Sequence, residues 1–181
     1  DFSYSADDLM IYFADKDIQS LLLINPDNPT GNYISYADCL RLADWCQQRN
    51  ILFVLDESFI DFSVEHPTFF KDDILEQYSN LVVIKSISKS YGVPSLRLGI
   101  LATSNVDIMT IIRRSVSIWN INSFAEFFLQ ILGKYEASYQ QAMDEFRAER
   151  ARFVDELHKI GFLRVLPSEA NYLLCEVKQP H

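Results

Sequence analysis

The chain has 181 residues, 49% apolar and 23% charged, a composition that builds a hydrophobic core and is neither disordered nor fibrous. Its formal net charge of −9 denies it the basic surface that nucleic acid or an anionic membrane requires of a partner. No apolar run is long enough to span a bilayer, and Cys39, Cys46 and Cys175 form no CxxC pair, which fits a reducing cytoplasm.

Ser5-Ala6-Asp7-Asp8 is a capping signal that opens a short helix over residues 9–13. Leu21-Leu22-Leu23-Ile24 is a continuous apolar run stopped by Asn25-Pro26, the pattern of a strand buried on both faces. Ser35 with Asp38 caps the next helix, whose apolar positions include Tyr36, Leu40, Ala43 and Cys46 and which ends at Asn50. Cys39 and Cys46, seven apart in that stretch, read as small buried apolar residues. A second buried strand over residues 51–55 leads to Asp56-Glu57. A short helix near residues 73–78 and a third strand over 81–84 follow, ending in Lys85-Ser86.

Continuous apolar strands alternating with helices predict an α/β fold: a mostly parallel sheet with helices on both faces. A fourth strand near residues 96–103 comes too soon after the third for a helical crossover and is expected to run antiparallel. From Asn122 to Ile160 the apolar spacing is helical, with Gly133 as an early break and Gly161 as the stop. Two strands, 162–166 and 172–177, joined through a Pro167-Ser168 turn, open a smaller α+β unit. The reading divides the chain into a partial large domain, 1–121, and a long helix with the start of a small domain, 122–181. His66, His158 and His181 are scattered and make no metal-ligand spacing.

Three clusters stand where those strands end, the edge at which open α/β sheets hold their ligands. They are Asn25-Pro26-Asp27-Asn28-Pro29-Thr30-Gly31, Asp56-Glu57-Ser58-Phe59 and Ser86-Ile87-Ser88-Lys89. Singly each has a bland reading: a double turn before a helix, a solvated acidic loop, a surface segment rich in serine and lysine. In this order, after successive strands, they resemble the fold-type-I pyridoxal-phosphate-dependent aminotransferases of class I/II. The likeness is to the branch of histidinol-phosphate aminotransferase and threonine-phosphate decarboxylase, and it covers nearly the whole chain. It includes Ser-x-Ser-Lys-x-x-Gly-x-x-x-x-Arg-x-Gly from Ser86 to Gly99, Trp119-Asn120-Ile121-Asn122-Ser123, and Pro167-Ser168-Glu169-Ala170-Asn171-Tyr172.

The resemblance implies a cofactor, pyridoxal 5′-phosphate, and a role for each matching residue. Lys89 would form the Schiff base, since lysine alone offers a primary amine on a side chain, and would carry the substrate proton. Asp56 would keep the pyridine nitrogen protonated. Asn28 would donate to the cofactor's phenolic oxygen, and Ser86, Ser88 and Arg97 would hold its phosphate. Phe59 departs from the tyrosine that many members carry there: it keeps the ring contact and loses a hydroxyl donor. The string Asp-Glu-x-Phe-Ile-Asp-Phe over residues 56–62 and Gly92-Val93-Pro94 lean toward the decarboxylase side.

The activity expected from the family is amino transfer between a small, optionally phosphorylated, amino acid and a keto acid, in a homodimer. Decarboxylation of an O-phospho amino acid is the alternative. Members also carry an earlier segment with a phosphate-cradling glycine loop and a stacking ring, and a later one with an arginine for the substrate carboxylate. Neither is present, and Arg164 precedes the Asn171 match, so it is not that arginine. With its start at Asp1, the chain therefore reads as part of a longer protein. On that reading this stretch alone is inactive; a non-catalytic domain, or a module of a bifunctional protein, are the readings of another class.

Overall fold

The computed structural model describes residues 2–178; Asp1 and His181, named above, lie outside them. Helix α1, Ala6–Phe13, begins at the expected capping box, in which the Ser5 and Asp8 side chains each bond the other's backbone N–H. Strand β1 is Ser20–Ile24, helix α2 is Tyr36–Gln48 under a Ser35 cap, and strand β2 is Leu52–Asp56. A 3-10 turn, Ile60–Phe62, and helix α3, Asp72–Gln77, lead to strand β3, Leu81–Ser86. One four-residue turn of helix, α4, Ile87–Ser90, follows at once, and strand β4, Gly99–Ala102, returns beside β3.

The sheet order is β1-β2-β3-β4; the first three strands are parallel and β4 is antiparallel, as expected. In register, Leu21, Phe53 and Leu81 share one face, as do Leu23, Leu55 and Val83. These residues pack with Ala6 of α1, Cys39, Leu42, Ala43 and Cys46 of α2, and Ile74 of α3 into the main core. Both cysteines are buried there and unbridged.

Helices α2 and α3 cover one face of the sheet, and on the opposite face Val82 of β3 is also buried. Two successive right-handed crossovers that step the same way along a sheet place their helices on the same side. The strand order β1-β2-β3 makes both steps alike, so α2 and α3 share a face. On the other face Leu22 is 61% exposed.

Beyond β4, helix α5, Val106–Ser115, is capped by Asn105, whose side chain accepts the Asp107 and Ile108 N–H groups. The sequence reading had no element there. The long helix expected from Asn122 to Ile160 is two helices: α6, Ser123–Leu132, and α7, Glu136–His158. A 3-10 turn at Gly133–Tyr135 separates them, where the glycine was expected to interrupt. Two short antiparallel strands, β5 at Leu163–Val165 and β6 at Cys175–Val177, form a separate sheet. Both are shorter than read from sequence; beyond their paired residues Leu166 N donates to Leu174 O at 3.0 Å, and Tyr172 Oη bonds Asp27 O at the first sheet's edge.

Candidate functional site

The three sequence clusters converge on the carboxyl edge of the sheet. Asp56 is the last residue of β2, and its Oδ1 accepts the Ser58 N–H at 2.9 Å, a tight turn that fixes the carboxylate at the edge. Ser86 ends β3 and caps α4: its Oγ accepts the Ser88 N–H at 3.3 Å, and its own N–H donates to Ser58 Oγ at 2.9 Å. Thus Ser58, not foreseen as a site residue, ties the ends of β2 and β3 together. A cleft of about 450 Å³ opens here, lined among others by Asp56, Ser58, Ser86, Ser88, Arg97 and Ile84.

Arg97 reaches this cleft from an unusual backbone position, left-handed at φ 56°. A side-chain-bearing residue held there costs about 1–2 kcal/mol, and such outliers cluster at ligand clamps. Its guanidinium is exposed and makes a long hydrogen bond, Nη1 to the Pro94 carbonyl at 3.3 Å. Lys89 lies on α4 with its Nζ 5.8 Å from the centre of the Phe59 ring. Lys89 is exposed and Phe59 buried, so the ring forms a floor beneath the amine.

Asn28 sits on the β1–α2 loop at the same edge; it is exposed and is not among the residues lining the cleft. Two turns hold that loop. Within it, Gly31 N donates to Asp27 O and Asp27 N to Asn32 O, both at 2.8 Å. Across from it, Tyr172 Oη donates to Asp27 O at 2.7 Å and Glu169 N to Gly31 O at 3.0 Å. Gly31 has φ 77°, and a Cβ there would collide with the Ser168 side chain, so glycine is required twice over. The Tyr172 ring also meets Phe59 edge-on at 5.2 Å. Burial, with the Asp27 and Asp56 charges behind it, pushes the Tyr172 phenol up to about 12 and keeps it a donor.

Asp56, Ser86, Ser88 and Arg97 are therefore gathered in one cleft, with Lys89 and Phe59 beside it and Asn28 on the adjoining loop. The donor set is chemically coherent: a carboxylate for a protonated ring nitrogen, hydroxyls and a guanidinium for a phosphate, and an amine for an aldehyde. Sequence reasoning missed Ser58 and Tyr172 as site builders. The Asp56-Glu57-Ser58-Phe59 and Pro167–Tyr172 strings contained both, but only the fold shows that they meet.

An open α/β sheet with this set at its carboxyl edge is the cofactor half of an enzyme that works through an amine and an electron-withdrawing ring. The chain belongs to the aminotransferase class I and II family, whose description fits residues 1–181, and the family's cofactor is pyridoxal 5′-phosphate. It is 35% identical over 171 residues to threonine-phosphate decarboxylase of Salmonella typhimurium, covering 93% of this chain and 46% of that protein. Among solved structures, a decarboxylase from Sulfurospirillum multivorans superposes with TM-score 0.84 at 28% identity, covering 97% of this chain and 51% of the other. The histidinol-phosphate aminotransferase from Clostridium acetobutylicum gives TM-score 0.83 at 30% identity, covering 97% and 52%. The chain thus spans about half the length of these relatives.

Proposed function

We propose that this chain supplies the cofactor site of a pyridoxal-phosphate-dependent enzyme acting at the α-carbon of an amino acid that carries a phosphate, releasing carbon dioxide. The observation that carries the cofactor role is the cleft shared by Asp56, Ser86, Ser88 and Arg97, with Lys89 above Phe59 at its side. The cofactor supplies an electron sink for the pair left when a bond to the substrate's α-carbon breaks. Asp56 favours the cation at the ring nitrogen and so holds a proton there. Ser86, Ser88 and Arg97 orient the phosphate, and Asn28 is the donor for the phenolic oxygen. Lys89 would hold the aldehyde carbon through its Nζ and would move a proton at the substrate's α-carbon.

Two observations favour decarboxylation of an O-phospho amino acid. One is Phe59, which offers a hydrocarbon edge to Tyr172 and no hydroxyl to the cofactor. The other is the similarity to a protein named for threonine-phosphate decarboxylation. Amino transfer to a keto acid is the second reading, expected from the family as a whole and favoured by the likeness to histidinol-phosphate aminotransferase. Both readings include a homodimer in the cytoplasm. The test of the cofactor role is Lys89→Ala in the full-length protein. It should abolish the cofactor adduct that borohydride fixes on the chain; an adduct persisting on another lysine would refute the assignment.

A further inference from the structure

We propose that Asp61 is a positioning residue that sets the backbone turn bearing Lys89, a role that rests on the reading of Lys89 as the cofactor lysine. Helix α4 is four residues long, too short to stabilise itself. Lys89 does not hold the turn either: it is exposed and points its Nζ toward the Phe59 ring. The turn is fixed from outside: buried Ile87 donates its N–H to the Leu98 carbonyl at 3.1 Å, and one carboxylate ties both flanks of Lys89. Asp61 Oδ1 accepts Lys85 Nζ at 2.6 Å, four residues before Lys89, and Asp61 Oδ2 accepts Ser90 Oγ at 2.6 Å, one residue after it. Both flanks of the lysine are thus tied to the same group.

The tie is shielded, with side-chain exposures of 13% for Lys85 and 14% for Asp61, so water competes weakly and the bonds are charge-assisted. Burial alone would raise the Asp61 carboxyl; the Lys85 charge and the bonds from Lys85 and Ser90 overcome it and hold the group below the ordinary carboxylate range. Asp61 is itself anchored. It sits between buried Ile60 and Phe62, and its carbonyl accepts Arg147 Nη1 of α7 at 2.8 Å. Helix α7 also stacks Tyr139 on Tyr91, two residues past Lys89, at 4.1 Å and 6°. The fold therefore locates Lys89 through its neighbours and leaves its amine unencumbered. An amine displaced by about 1 Å from its target loses on the order of a hundredfold in rate, so loosening the turn should slow how fast Lys89 captures the cofactor.

The test separates the turn from the cleft in full-length apoprotein. Pyridoxine 5′-phosphate has the ring and phosphate but no aldehyde, so its affinity reads the cleft alone. The rate at which pyridoxal 5′-phosphate becomes borohydride-fixable reads the step in which the Lys89 amine adds to the aldehyde carbon, the C=N bond forms and water leaves. In Asp61→Asn the analogue should bind within about threefold of wild type, while capture slows about tenfold or more. Ser90→Ala, which leaves the Lys85–Asp61 pair intact, should bind the analogue normally and slow capture about threefold; Asp61→Glu should restore most of the rate. Wild-type capture in Asp61→Asn overturns the proposal, and so does an equal loss of analogue affinity and capture in Ser90→Ala, which would mark general damage. A label that persists in Lys89→Ala refutes the underlying reading; a normal rate in Asp61→Asn with the label on Lys89 refutes only the positioning role.

Discussion

Asp56 and Glu57 are adjacent carboxylates with opposite surroundings, because successive side chains at a strand end point to opposite faces. Asp56 faces the cleft, whereas Glu57 is 2% exposed and accepts Thr68 Oγ1 on one oxygen and the Phe69 N–H at 2.7 Å on the other. Asp56→Asn should lower turnover by about a hundredfold or more while cofactor stays bound, since asparagine cannot favour the ring cation but Arg97 and the serines still grip the phosphate. Unchanged turnover would remove Asp56 from the site. For Glu57 the prediction concerns stability. Burial raises its carboxyl above the ordinary 4.5, outweighing the bonds from Thr68 and Phe69 and the Lys85 charge. A raised carboxyl contributes stability that is fully present below its unfolded value and lost as pH rises through its folded value. Glu57→Gln should therefore gain on wild type as pH rises from about 4 toward neutrality, read by denaturant unfolding at a series of pH values. Parallel pH profiles would show that Glu57 does not titrate this way. The motif made Asp56 legible in the sequence. Glu57, Ser58 and Asp61 were hidden because their partners, Thr68, Ser86 and Lys85, lie across loops whose path no local spacing encodes.

The elements were more legible than their assembly. Continuous apolar runs marked β1, β2 and β3, and caps at Ser5 and Ser35 marked α1 and α2, because burial and capping are local signals. Helix α5 went unread although Asn105 caps it and Val106, Ile108, Met109, Ile111 and Ile112 recur at helical spacing. That α2 and α3 lie on one face follows from strand order, which apolar runs do not reveal. The junction of two elements far apart in sequence carries a further prediction. Gly31 faces Ser168 with no room for a methyl group and at a φ that side chains disfavour. Gly31→Ala should destabilise the protein by about 2 kcal/mol or more through strain and the forced parting of the two turns. It should also weaken cofactor binding, because Asn28 rides on the displaced loop. An unchanged thermal midpoint would show that the junction yields freely.

At the scale of the whole molecule, helices α2 and α3 cover one face of the sheet, while on the other Val82 is buried and Leu22 exposed; Trp119 of the α5–α6 connection is exposed as well. A parallel sheet is ordinarily covered on both faces, and among the described residues Leu22 has no such cover. On the proposed reading Lys89, Asp56 and Asn28 would serve carbon dioxide loss and amino transfer alike; what would separate the two is which bond at the α-carbon stands perpendicular to the ring. That orientation is set by whatever grips the substrate's carboxylate and phosphate. Among the described residues the cations near this edge are already committed: Lys85 to Asp61, Arg150 to Glu169 and the Ala170 carbonyl, and Arg97 is assigned to the cofactor phosphate. Phe59 bears instead on how tightly the cofactor would be held. A phenyl ring in place of a phenol withdraws one hydrogen bond from the phenolic oxygen, about 1–3 kcal/mol to a charged acceptor. With O-phosphothreonine or O-phosphoserine, the full-length enzyme should release carbon dioxide catalytically and form no more than traces of keto acid. Phe59→Tyr should leave carbon dioxide as the product and tighten cofactor binding. Stoichiometric keto acid in a single turnover, with no carbon dioxide, would instead establish amino transfer.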